Sequence, residues 1–165
     1  MSLRRPTLAE IFRDHAAFVL RVVRRFGAAE ADVEDVAQEV FLVLHRRLAD
    51  YDPERPIRPW IYAIAFRVTS DARRKTQRAA TLRAPTPEPE VAPDRALELQ
   101  HARRLLDEAL DSLSADARFV FVGYELEGMS MKEIAEAANA PLQTCYSRLH
   151  SARARVIDFV RQRSS

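Results

Sequence analysis

The segment Ala84-Pro85-Thr86-Pro87-Glu88-Pro89-Glu90-Val91-Ala92-Pro93 places four prolines in ten residues. A proline has no backbone N–H and holds φ near about −65°, so a helix cannot run through such a stretch. The segment predicts an extended, polyproline-like linker and is the clearest boundary in the chain. It divides the 165 residues into a first domain over 1–80, a linker over 81–93 and a second domain over 94–165.

Both flanking parts have the pattern of helices. The chain has only three glycines and is rich in Ala, Leu, Arg and Glu, which favours helix over sheet. No Asn-Gly or Asp-Gly pair sits between alternating apolar runs, so no hairpin is indicated. With 47% hydrophobic residues there is enough apolar material for cores. The expected fold is all-α: two small helical domains joined by the proline-rich linker.

In the first part, Thr7-Leu8-Ala9-Glu10 has capping-box spacing. Phe12, Ala16, Val19, Val23 and Phe26 then recur at helical intervals as a buried stripe, and the helix stops near Gly27. A second helix starts near Asp32, with Val33, Val36, Ala37, Val40, Phe41, Leu44 and Leu48 facing inward. Asp50 to Pro56 is a loop with two prolines, and a third helix follows with Pro59 in its first turn. Trp60, Ile61, Ile64, Ala65 and Val68 form its buried face, and Arg67, Asp71, Arg74 and Arg78 its outward face.

After the linker, Leu97, Leu105, Leu106, Ala109 and Leu110 mark a helix ending near Ser112, and Ser114 caps the next. Gly123 falls inside that helix, where it costs up to about 1 kcal/mol relative to Ala, so a close crossing by another helix is one explanation. Gly128 stops the helix. Ser130-Met131-Lys132-Glu133 is a second capping box, and Asn139-Ala140-Pro141 makes a turn. The last helix directs Leu142, Cys145, Leu149, Ala152 and Val156 inward. Gln143, Thr144, Tyr146, Ser147, Arg148, His150, Ser151 and Arg155 face outward. A short helix, a tight turn and a longer helix with hydrogen-bonding side chains outward describe a helix-turn-helix. Its outer face has the groups that pair with base edges or phosphates in a major groove, and a plain α-hairpin with a polar face is the simpler alternative.

The net charge is only +2, but it is unevenly placed. Arg67, Arg73, Arg74, Lys75, Arg78 and Arg83 form one basic block, and Arg148, Arg153, Arg155, Arg161 and Arg163 another. An acidic segment from Glu88 to Asp116 lies between them. This arrangement points to two contact sites on a polyanion. A lone cysteine, Cys145, allows no internal disulfide and fits a reducing compartment. No stretch approaches the roughly 20 apolar residues of a membrane span, so a soluble cytoplasmic protein without membrane insertion is expected. His15, His45, His101 and His150 have no metal-ligand spacing, and there is no glycine-rich phosphate loop and no evident catalytic set. Neither an enzyme, a cofactor nor a metal site is indicated.

Two segments then resemble one family. DVEDVAQEVFLVLHRRLADYDPERPIRPWIYAIAFRVTSDARRK is similar to region 2, and LDSLSADARFVFVGYELEGMSMKEIAEAANAPLQTCYSRLHSARARV to region 4, of the extracytoplasmic-function (ECF) sigma factors, sigma-70 family. The resemblance implies a subunit that binds core RNA polymerase, directs it to promoter DNA and starts transcription at specific sites, associated with the bacterial nucleoid. It implies contacts with the β′ clamp helices and the β flap, and leaves room for an anti-sigma factor.

Carried over by residue, the resemblance places core binding at Asp35, Gln38, Glu39 and Leu42, which share one face at i, i+3, i+4 and i+7. Asp32 and Glu34 are first-turn acids favoured by the helix dipole. The −10 face comprises Arg67, Asp71, Arg74 and Arg78, with Arg67 and Asp71 standing where relatives often carry an amide. The loop Tyr51 to Arg58 corresponds to the segment that holds a flipped base in relatives. The −35 face comprises Gln143, Thr144, Tyr146, Ser147, Arg148 and Ser151. Gln143 replaces a common Gly, Tyr146 a common cation and Ser151 a common Arg. Two other readings remain at this level: a conventional helix-turn-helix regulator, and a helical adaptor with no role on DNA.

Overall fold

The computed structural model describes residues 3–80 and 94–165. The expected linker, 81–93, lies outside the described residues. Seven helices follow in order: α1 (Leu8–Arg25), α2 (Val33–Arg46), α3 (Ile57–Ala80), α4 (Asp94–Asp111), α5 (Ala115–Phe121), α6 (Met131–Ala138) and α7 (Leu142–Ser164). No strand occurs among the described residues.

Local chemistry sets several of the helix ends. Thr7 accepts from the Glu10 backbone N–H, and the Glu10 carboxylate accepts from Thr7, which completes the capping box of α1. Ser130 and Glu133 do the same for α6, and Ser114 caps α5. Asn139 closes α6 in the left-handed conformation at φ 50°, ψ 48°. Asp32 is the N-cap of α2 without a side-chain cap bond, so its contribution there is charge near the helix start.

The first three helices form a bundle around Val19, Val22, Val23, Val33, Val40, Leu44 and Ile61, all essentially inaccessible to water. In the second part, α6 and α7 pack through Ile134, Cys145, Leu149 and Ala152. The two parts also meet: α3 packs on α6, and one continuous apolar cluster runs through both. At that junction Phe26, Tyr62, Phe66 and Phe119 pack edge to face or tilted, with centroids 4.8–5.2 Å apart. The Tyr62 hydroxyl donates to the Phe119 carbonyl at 2.6 Å, which satisfies a fully buried polar group.

Several expected core positions differ. Phe12 is 56% exposed, because Ile11 takes the inward place and Phe12 lies against Phe41 at the surface. Leu97 and Leu142 are also exposed, one on the first turns of α4 that project from the body and one at the open start of α7. Trp60, Val68 and Phe41 are half-buried, with Trp60 covering Tyr51 at 4.9 Å.

Gly123 lies in a wide helical turn over Val122–Leu126. A Cβ there would stand 3.2 Å from Ile134 of α6 and 3.2 Å from the Tyr62 hydroxyl of α3. The close crossing is therefore real, and it involves both parts of the chain. Tyr62 is pinned by its hydrogen bond and cannot retreat. Gly123→Ala is expected to destabilise by about 1–2 kcal/mol, overpacking outweighing the helix propensity gained. Urea unfolding of the variant checks this, and an unchanged or raised midpoint would contradict it.

Candidate functional site

Three exposed faces carry the residues singled out by the sequence. On α2, Asp35, Gln38, Glu39 and Leu42 are all exposed, Leu42 by 55%, while Val36, Ala37, Val40 and Leu44 on the other side are buried. The face therefore presents two carboxylates, an amide and an apolar side chain together. Glu39 accepts from Arg46 at 3.0 Å in a pair more than half open to water. Such a pair contributes at most about 1 kcal/mol and exchanges readily with another cation. Exposed Phe12 on α1, against Phe41 of α2, adds apolar surface from the same pair of helices.

On α3, Arg67, Asp71, Arg74 and Arg78 are exposed, as the helical spacing requires. Asp71 lies 3.7 Å from Arg74 across one turn, a loose pair with both side chains 69% accessible. Arg73, from the same basic block, turns inward: it lies 3.7 Å from Asp111 and donates to the Phe26 carbonyl at 3.4 Å. The sequence grouped it with its neighbours, but the structure makes it part of the junction between the two parts.

On α7, Gln143, Tyr146, Ser147 and Ser151 are exposed, and Thr144 and Arg148 are half-buried. Arg148 leans toward Asp116 of α5 at 3.5 Å, which orients its guanidinium beside the outer face. Further along, Arg153 pairs with Glu125 and lies over the Tyr124 ring, and Arg155 donates to the Ser112 carbonyl at 2.8 Å. Arg163 pairs with Glu108 of α4 at 2.7 Å. Much of the C-terminal basic block thus holds α7 on its own domain.

The most deeply buried charges were not foreseen. The Glu127 side chain is 1% exposed and accepts from Arg21 at 2.8 and 2.9 Å, Arg25 at 2.5 Å and Arg58 at 3.3 Å. Its hydrogen bonds to Arg21 raise the pKa of that guanidinium, so Arg21 stays charged. Arg118, 2% exposed, donates to the Arg25 carbonyl at 2.7 Å and to Asp111 at 2.8 Å. Burial lowers its pKa, and Asp111 opposes that shift. Gly27 allows the approach: at φ 102°, a Cβ on it would lie 2.9 Å from Arg118 and Arg73. The useful signal in the sequence was Gly123, whose place inside a helix marked the same crossing.

Among the described residues no group of His, Cys, Asp and Glu could hold a metal ion, and no helix is long and apolar enough to cross a membrane. Cys145 is fully buried in the contact between α6 and α7, and burial raises its thiol pKa. Its thiolate is therefore scarce at neutral pH. Titration with a coloured disulfide reagent is expected to leave Cys145 unreacted in the folded protein and to label it rapidly in denaturant. Prompt labelling without denaturant would contradict this packing.

The chain matches two family models: Sigma-70 region 2 over residues 11–79, and Sigma-70, region 4, over residues 103–156. The ECF RNA polymerase sigma factor SigL of Mycobacterium tuberculosis is 33% identical over 150 residues, covering 86% of this chain and 82% of that protein. The ECF RNA polymerase sigma factor SigE of Mycolicibacterium smegmatis is 30% identical over 168 residues. That match takes in 97% of this chain but 64% of SigE, so the chain spans less than two thirds of that relative. Among solved structures, CnrH in complex with the cytosolic domain of CnrY is similar with a TM-score of 0.72 and 26% identity, over 94% of this chain and 88% of that one.

Proposed function

The chain belongs to the ECF group of the sigma-70 family, and from that membership we propose that it binds core RNA polymerase and directs promoter-specific initiation of transcription. One observation supports this most: the α2 face and the α7 face are both exposed, while the opposite sides of both helices are used for folding.

On this reading Asp35, Gln38, Glu39 and Leu42 meet an arginine-bearing helix pair, the β′ clamp helices. Carboxylates take bidentate hydrogen bonds from Arg, which adds direction to attraction, and Leu42 adds apolar contact beside them. Arg67, Asp71, Arg74 and Arg78 line the path of the −10 strand, where arginines bind phosphate and stack on bases. Gln143, Thr144, Tyr146, Ser147, Arg148 and Ser151 enter the major groove at the −35 element, with the second domain also meeting the β flap. The domain limits 1–80 and 94–165, with the linker over 81–93, are part of the same proposal. The protein is a specificity subunit rather than a catalyst, and it works in the cytoplasm on the nucleoid. An anti-sigma factor is a further partner, in line with the structure of CnrH bound to another protein.

Reconstituted transcription with purified core polymerase tests the reading. The chain is expected to give initiation at its own promoters and to co-purify with core. Absence of both would overturn it, and tight autonomous duplex binding with no need for core would identify a conventional regulator instead.

Two substitutions locate the faces. Asp35→Arg with Glu39→Arg is expected to weaken core binding by about tenfold or more, because like charges then face each other. The fold should be kept, since both residues are exposed. Arg148→Ala is expected to weaken −35 occupancy by about 1–3 kcal/mol, the worth of a bidentate base contact. Unchanged core affinity in the first case, or unchanged promoter occupancy in the second, would remove that face from the proposal.

A further inference from the structure

Leu142 is 49% exposed at the first position of α7, and Tyr146, one turn further on, is exposed to the same degree. At i and i+4 the two side chains share one side of the helix. They border Gln143 and Ser147, while α7 builds its core contact from Cys145, Leu149 and Ala152. Leu142 also lines an open groove of about 640 Å³, together with Ala135 of α6 and with Ala140 and Pro141 of the turn. Lys132, Glu136 and Asn139 complete the wall.

Lys132 and Glu136 cancel in charge, so the groove has no net charge with which to hold a phosphate. Lone exposed apolar residues are ordinary on a protein surface. Here, however, Pro141, Leu142 and Tyr146 are neighbours at the start of the second helix of a helix-turn-helix, the end that reaches base edges. The hydrogen-bonding groups of that face, Gln143, Ser147 and Arg148, pair with donors and acceptors on the bases or with phosphates. An apolar side chain cannot. In the major groove the four bases present one apolar group among them, the C5-methyl of thymine.

Resting on the promoter reading above, we propose that Leu142, flanked by Tyr146, is a specificity-determining residue that reads a thymine methyl group in the −35 element. Contact removes water from the leucine and from the methyl together, and it leaves no polar atom of either without a partner. It favours thymine over cytosine, whose edge has a hydrogen in place of the methyl. Tyr146 stands where the family resemblance leads one to expect a cation, so this flank of α7 exchanges attraction to phosphate, which is blind to sequence, for apolar contact, which is not.

The test uses the full chain assembled with core polymerase. Its preferred upstream element is selected from a pool of random duplexes, and each thymine is then replaced by uracil, which removes the methyl group and nothing else. Uracil at one position is expected to lower occupancy about three- to fivefold, the effect of one buried methyl group. In Leu142→Ala that penalty is expected to vanish, with thymine and uracil duplexes bound equally. Leu99→Ala, which truncates an exposed leucine of α4, is expected to keep the wild-type penalty. If Leu142→Ala loses its helical content, Leu142→Gln carries the same comparison. An element without thymine, a neutral result at every thymine, or a folded Leu142 variant that keeps the full penalty overturns the proposal and leaves the promoter reading intact. If the chain does not assemble with core, the promoter reading falls, and the same uracil scan on duplexes bound by the chain alone decides the proposal. Absence of any sequence-specific duplex in both settings overturns both.

Discussion

A carboxylate that is 1% exposed has given up its water, so hydrogen-bond donors must replace it, and Glu127 takes them from Arg21, Arg25 and Arg58 of the N-terminal part. Transfer of an ion to such a site costs several kcal/mol before pairing returns it. The arrangement of the two domains is tied to this one group for that reason. Arg21 reaches it from α1 while Arg58 reaches it from the start of α3, and both guanidinium groups lie over the Phe18 ring, at 5.6 and 4.6 Å. The cage therefore also grips the core of the first bundle, so movement at Glu127 is felt where α1 and α3 pack.

A second buried charge reinforces the first. Arg118 occupies the place beside Gly27 that only a residue without a side chain leaves open, and it ties α5 to the end of α1 and to Asp111. Between the two ionic contacts lie the rings of Phe26, Tyr62, Phe66 and Phe119. Apolar contact supplies attraction without direction, and the flanking hydrogen bonds set one orientation out of many. The junction is thus specific as well as adhesive.

What was legible in the sequence was local. Thr7, Ser114, Ser130 and Asn139 act through backbone groups a few residues away, so their roles follow from spacing alone. The α2 face was legible for the same reason, since Asp35, Gln38, Glu39 and Leu42 share one side of one helix. Phe12, Leu97 and Leu142 show the limit. Periodicity places them on an apolar stripe, but a stripe at a helix end is buried only if another element extends far enough to cover it. Glu127 and Arg118 were not legible at all. Arg21 and Glu127 are separated by 106 residues, and nothing in either local pattern marks the other. Gly123 alone hinted at their junction, because a glycine in a helix interior calls for a neighbour, though it does not say which one.

The chain uses arginine–carboxylate contacts in two physically different ways, and solvent makes the difference. Glu39 with Arg46 is open to water, so either partner can be exchanged for a group on another molecule at little cost. That is the property a protein-docking face needs. Glu127 is closed to water and shared by three guanidinium groups, so none of its partners can be exchanged for a group on another molecule while the junction is closed. That is the property a structural contact needs. The acidic face of α2 and the acidic group at the junction therefore differ in physical behaviour because they differ in burial, although the same pair of side-chain types serves both.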